Sequence, residues 1–259
     1  MATSDSVPEL VANPRATAIF GRDSTMHIYL EGYGLPEQTP VALAAISDRN
    51  AVIWRDTVEL PARLGPMHSS VIDVPVAELG VGRLTLAATP LNAADTVRMP
   101  LFISFGEEWA INSFEEMLNL LRFYATDTRL ASLRSVSGEA RAAAWADFYK
   151  STDPDQRTPE HEGLRTYFTR VRIANERFAD ETGSGWQSDR GEVYVTLGEP
   201  DQVMEQGDNN FNQRGRAQLW TYNQYRLQIV FIDQSGFGRW RLTSSSEGDF
   251  QAVAQRVRK

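Results

Sequence analysis

Up to Ser104 hydrophobic residues recur with a period of two, and after Gly106 with a period near 3.6; no other feature constrains the fold as strongly. A period of two places alternate side chains on opposite faces of a strand, whereas 3.6 gathers them on one stripe of a helix. Between Ala16 and Phe105 the alternating segments are Thr25–Leu30, Val41–Ser47, Ala51–Leu60, Ser69–Val74, Gly82–Thr89 and Thr96–Ser104. Turn residues separate them, among them Gly32-Tyr33-Gly34-Leu35-Pro36, Asp48-Arg49-Asn50 and Pro90-Leu91-Asn92.

Strands at this spacing predict an all-β sandwich of immunoglobulin-like type over residues 13–105. Pro100, inside the last of them, lacks a backbone N–H and so predicts an edge or a bulge. Residues 1–12 are polar and aperiodic and read as a flexible leader.

Residues 106–259 read as a second, α+β domain, in which helices precede an antiparallel sheet. Helices are expected over Glu107–Ala125, over Glu139–Lys150 with Ala140, Ala144, Trp145 and Phe148 inward, and from an N-cap at Thr158 ahead of Pro159. The last of these sets Leu164, Tyr167, Phe168, Val171, Ala174 and Phe178 on one face. Strands are expected at Val193–Leu197, Leu219–Asn223, Arg226–Asp233 and Gly238–Thr243, with a polar loop over Met204–Ala217. A closing helix over Glu247–Arg256 would start from Ser246 and Asp249 as a capping-box variant.

Composition excludes whole classes of function. The 259 residues contain no Cys, so thiolate chemistry, disulfides and zinc–thiolate sites are absent. The net charge of −8 divides into −4 for each side of residue 105, which argues against a nucleic-acid footprint. No apolar run approaches the length of a membrane-spanning helix, and the first ten residues lack the pattern of a signal peptide. There is no G-x-S-x-G, P-loop or dinucleotide fingerprint, and no cofactor or metal is expected. His27, His68 and His161 have no local partner residues that would make a zinc site. Asp153, Asp155, Glu160 and Glu162 lack the spacing of a calcium loop and read as a solvated turn before a helix.

The most distinctive stretch is Gly185-Trp186-Gln187-Ser188-Asp189-Arg190-Gly191, which continues to Gly198-Glu199-Pro200-Asp201. With Trp145, Asp153, Thr158-Pro159-Glu160-His161-Glu162, Arg172 and Asn175 upstream, and Trp220-x-Tyr222 and Phe231-x-Asp233-x-x-Gly236-Phe237-Gly238 downstream, it resembles the bacterial GWxTD-domain family over roughly residues 107–245. That family has no assigned biochemical function and looks like an exported one. Ser188 stands where the family has Thr, keeping the hydroxyl, and His161 where Asn is expected. Gly198-x-Pro200-Asp201, Trp220-x-Tyr222 and Phe231 are also similar to a pattern in small envelope lipoproteins related to the small subunit of the outer-membrane β-barrel assembly machinery, which bind other proteins.

Two readings of the motif stand side by side. In one, Ser188 and Asp189 hold a tight turn through backbone hydrogen bonds, the glycines permit it, and Arg190 pairs with Asp189, Asp201 or Asp233. In the other, Asp189, Asp201 and Asp233 converge as a carboxylate cluster for acid/base chemistry or a metal, with Arg190 binding an anion, which would make the chain a hydrolase of an envelope polymer. A third reading, glycan binding, needs exposed Trp186, Trp220 and Trp240 with the Met204–Ala217 loop, where Asn210, Phe211, Asn212, Arg214 and Arg216 offer stacking and charge. The leading expectation is a non-enzymatic interaction or structural module of the cell envelope, binding a protein partner or itself through sheet edges and aromatic surface such as Phe237. It would be exported with its signal outside this numbering; a cytoplasmic location stays open.

Overall fold

The computed structural model describes residues 17–36, 39–62, 66–91, 95–104, 113–138, 140–158, 161–179, 183–206 and 215–259. It contains both helices and strands, with a sheet-rich N-terminal region and, further on, helices followed by an antiparallel sheet. Among the described residues, 17–120 and 129–161 form one compact unit and 121–128 and 162–259 form another.

The first unit begins with β1 (Thr17–Ile19), β2 (Thr25–Tyr33), β3 (Thr39–Ser47), β4 (Val52–Leu60) and β5 (Met67–Pro75). The short helix α1 (Val76–Leu79) leads into β6 (Gly82–Pro90) and β7 (Val97–Ser104). One sheet has the order β1-β7-β6-β3-β4 and curls into a half-barrel, while β2 pairs with β5 in a separate two-stranded sheet. Alternate residues are buried most regularly in β3, where Val41, Leu43 and Ala45 lie inward, and Leu84 and Leu86 of β6 and Leu101 and Ile103 of β7 are buried likewise. The expected edge at Pro100 has a simple cause. Among the described residues β1 reaches only Phe102–Ser104, so no described strand pairs with Pro100 on that side, where a missing N–H costs no ladder bond.

Helices α2 (Phe114–Leu120), α3 (Asp127–Ser135) and α4 (Ala140–Thr152) follow. Of the helix expected over Glu107–Ala125, residues 107–112 lie outside the described residues, and α2 gives way to a 3-10 turn at Leu121–Phe123. Trp145 of α4 is fully buried, edge-on to Phe114 and Phe148. Of the expected inward residues Trp145 and Phe148 are buried, whereas Ala140 is exposed and Ala144 half-buried, and Arg141 and Ala142 lie inward instead. Gly80 has φ +71, and a Cβ there would come within 2.8 Å of Trp145 Cδ1. Both backbone and space therefore require glycine.

The second unit contains α5 (Glu162–Phe178), α6 (Asp189–Leu197), β8 (Gln202–Gln206), β9 (Arg216–Tyr222), β10 (Leu227–Asp233), β11 (Arg241–Leu242) and α7 (Ser244–Val257). Its sheet is an antiparallel meander of order β11-β10-β9-β8. The residues expected on the inner face of α5 are the six that the helix buries. The helix starts at Glu162, however, and the Thr158 hydroxyl donates to the Asp155 carbonyl in the preceding turn. Pro159 lies outside the described residues.

Three expectations change here. Val193–Leu197 is not a strand but the body of α6, and these residues are buried on every side, so no stripe marks the helix. Residues 202–206, placed partly in a loop, form the edge strand β8. The cap of the closing helix is Thr243, whose hydroxyl accepts from the Ser246 N–H, while the Ser246 hydroxyl accepts from Val230 N–H in β10.

The domain boundary expected at residue 105 follows the change of period. Packing instead assigns α2 and α4, whose Phe114, Trp145 and Phe148 stack together, to the unit that holds β1–β7.

Candidate functional site

The motif begins where the chain leaves α5 and turns back. Gly185–Gln187 forms one 3-10 turn, and the Trp186 N–H donates to Asn175 Oδ1 of α5 at 3.1 Å. A Cβ on Gly185 would overlap the Ala174 carbonyl oxygen and lie 2.6 Å from Ala179 N. One on Gly191 would overlap the Gly185 carbonyl oxygen and lie 2.8 Å from Trp186 Cα. These glycines give room for backbone to touch backbone, and neither has the positive φ expected of a turn glycine.

Ser188 joins turn to helix. Its hydroxyl donates to the Gly185 carbonyl at 2.7 Å and accepts from the Gly191 N–H at 3.1 Å, the geometry of an N-cap. The Asp189 carboxylate accepts from Leu242 N–H at 2.7 Å and from Arg241 Nη1 at 3.0 Å, strapping the start of α6 to β11. A carboxylate at this end also suits the positive pole of the helix. The Arg190 guanidinium lies over the rings of Phe178 and Trp240, 5.1 and 5.0 Å from their centroids. The arginine paired with Asp189 is thus Arg241, and the one paired with Asp233 is Arg216.

At the far end of α6, Gly198 takes φ +92, and the buried Tyr222 hydroxyl donates to its carbonyl at 3.0 Å. Burial pushes that phenol well above its usual range. Asp201 accepts from the Asn223 N–H at 2.6 Å, closing the turn that follows β9. The Asp233 carboxylate is fully buried. It accepts from Arg216 Nη2, Ser235 Oγ and the N–H groups of Gly236 and Gly238, at 2.7–3.0 Å. Burial alone would raise its pKa, but these four bonds outweigh it and hold the value at about 2.

Each candidate carboxylate therefore serves its own turn or strap. Among the described residues no three His, Asp or Glu side chains are grouped as metal ligands. Trp186, Trp220 and Trp240 are all core residues, with no more than 8% exposure. Trp186 packs edge-on to Phe123 beneath Arg122, and Trp220 packs on Phe178 and Phe231 with its N–H on Gln218 Oε1. The exposed tryptophan platform that glycan binding needs does not exist at these positions. Asn210, Phe211, Asn212 and Arg214 lie outside the described residues.

Other candidates also resolve locally. Asp153 accepts from Asp155 N–H, and Asp155 is gripped by Arg157, whose hydrogen bonds lower its pKa. Glu160 lies outside the described residues. His27 meets Asp73 on the surface of β2 and β5. His68 is buried in β5 with Nδ1 at 3.0 Å from the Leu60 carbonyl oxygen. His161 is buried, its Nε2 at 3.0 Å from Thr152 Oγ1. Of the aromatic motif residues, Phe237 alone stands out in solvent, at 92% exposure.

The GWxTD-domain family model matches residues 99–238, more than half of the chain. This chain belongs to the GWxTD-domain family. No curated protein and no solved structure matches it. In this chain the motif's Ser188 is a helix cap and its Asp189 a strap to a strand more than fifty residues further on. Asn175 is the α5 residue that fixes the tryptophan backbone. No helix among the described residues is long and apolar enough to cross a membrane.

Proposed function

We propose that this GWxTD-domain chain is a non-enzymatic protein-interaction or structural module of the bacterial cell envelope, exported to the periplasm or cell surface, with self-association among its modes. An immunoglobulin-like layout of the N-terminal strands fits that reading, since sheets of this kind commonly serve as spacers and binding surfaces. The motif residues most open to a catalytic reading are engaged in holding the fold, which favours binding over turnover.

The observation that carries the reading is the edge of the second unit's sheet. Among the described residues β8 pairs with β9 on one side only, and Val203 and Met204 are 45% and 52% exposed on its two faces. Such an edge offers unpaired backbone groups to an incoming strand, with apolar side chains to either side. Photo-crosslinking from a benzophenone amino acid at position 203 or 204, in cells that make the protein, tests this. The expected result is a protein adduct that appears on irradiation. Absence of an adduct together with a monomer in sedimentation velocity would overturn it, as would hydrolysis of an envelope polymer that is lost in Asp201→Asn with stability unchanged.

A further inference from the structure

Phe237 is the most exposed large hydrophobic residue among those described, and the loop that carries it is held in place. The Asp233 carboxylate beneath it accepts from Ser235 Oγ at 2.9 Å, Gly236 N–H at 3.0 Å and Gly238 N–H at 2.7 Å. Ser235 Oγ in turn accepts from the Phe237 N–H at 3.3 Å. Gly236 and Gly238 take φ +76 and +88, left-handed conformations that turn the chain out before the phenylalanine and back after it, with nothing near either Cβ position. A buried ionised carboxylate with four donors is an expensive way to build a surface loop unless the loop's shape is used. The ring is displayed in advance, so little conformational freedom is lost when a partner takes it up.

The surroundings are basic. Arg216 reaches the Gly236 carbonyl at 3.4 Å and lies over Trp240, as does Arg190, while Arg239 is adjacent and exposed with no ion pair among the described residues. Among the described residues Asp233, which is buried, pairs with Arg216, and Asp189 pairs with Arg241. Arg239 therefore adds a positive charge that these two carboxylates do not neutralise, in a chain whose net charge is −8.

We infer that Phe237, with Arg216 and Arg239 beside it, is a docking knob for an acidic protein segment that closes an apolar socket around the ring; this rests on the interaction reading above. The ring supplies the central desolvated contact of a hot spot and the arginines form a charged rim. Selection of a random dodecapeptide phage library on the wild-type chain, with counter-selection on Phe237→Ala, tests it. The expected peptides combine Asp or Glu with large apolar residues. As synthetic peptides they bind Phe237→Ala about thirtyfold more weakly, as removal of a hot-spot side chain does. They bind Arg239→Glu more weakly too, with the loss largest at low salt. The melting temperature of Phe237→Ala stays that of wild type, because the ring is exposed.

Peptides bound equally by wild type and Phe237→Ala would overturn the knob while leaving the interaction reading standing. Failure to enrich any peptide would overturn it as well, and so would a wild-type dimer abolished by Phe237→Ala, which would make the occupant a second copy of this chain.

Discussion

Replacing Gly191 with alanine separates local preference from packing, because the two give opposite signs. Gly191 sits in the first turn of α6 without positive φ, and alanine is the better helix former by about 1 kcal/mol. Propensity alone therefore expects a more stable protein. The Cβ, however, would overlap the Gly185 carbonyl oxygen and stand 2.8 Å from Trp186 Cα, closer than the 3.0 Å that real Cβ atoms keep. Both obstacles are backbone, so no change of rotamer relieves them. The turn must move away from α6, disturbing the Ser188 cap and the seat of Trp186. Overpacking of this kind costs about 1–3 kcal/mol, and with no soft neighbour the upper part of the range applies, leaving a net loss of about 2 kcal/mol after the propensity gain. Gly248 is the control: it lies in α7 with nothing within 4 Å of its Cβ position. There Gly248→Ala is expected to gain about 0.5–1 kcal/mol. Urea unfolding followed by tryptophan fluorescence reads both, since Trp186, Trp220 and Trp240 lie in the same unit. A Gly191→Ala variant as stable as wild type, or a Gly248→Ala variant less stable, would refute the reasoning.

Further expectations follow from the same contacts. Ser188→Ala removes the cap of α6 and is expected to cost about 1 kcal/mol in urea unfolding, whereas Ser188→Thr, which restores the family's usual residue, stays within about 0.5 kcal/mol of wild type. Asp233 has a pKa near 2 in the fold, below the 3.8 of a free carboxyl, so its contribution is complete above about pH 4 and is lost as the pH falls through about 2. The stability difference between wild type and Asp233→Asn is therefore expected to shrink between pH 4 and pH 2, measured by denaturant unfolding at each pH. Gly80→Ala combines a disfavoured φ of +71 with a clash on Trp145 and is expected to lower the melting temperature of the first unit, read by calorimetry.

Strands of the first unit were legible where one face is buried, as in β3, whose alternation survives as Val41, Leu43 and Ala45. The six inward residues of α5 were legible for the same reason at the helical period. Where burial is complete or absent the pattern vanishes. Val193–Leu197 is enclosed on all sides and rich in β-branched residues, which imitates a strand, while β8 is exposed along residues 202–205 and imitates a loop. Helix α3 buries only Leu130 and Leu133, too few to mark a stripe. At the motif, the turn-holding role of the Ser188 hydroxyl was readable from its neighbours. The strap from Asp189 to Leu242 and the pairing of Arg216 with Asp233 join residues far apart in the chain, and no local spacing announces them.

The motif's architectural role is tested most directly by the unfolding free energy of Asp189→Ala. That change leaves Leu242 N–H and Arg241 without their carboxylate, and lost hydrogen bonds to a charged group are worth about 1.5–3 kcal/mol. The expected result is a loss of about 2–3 kcal/mol. A residue kept for chemistry behaves in the opposite way, since replacing it commonly leaves stability unchanged or raises it. An Asp189→Ala variant at least as stable as wild type would contradict the assignment of the GWxTD aspartate to the fold.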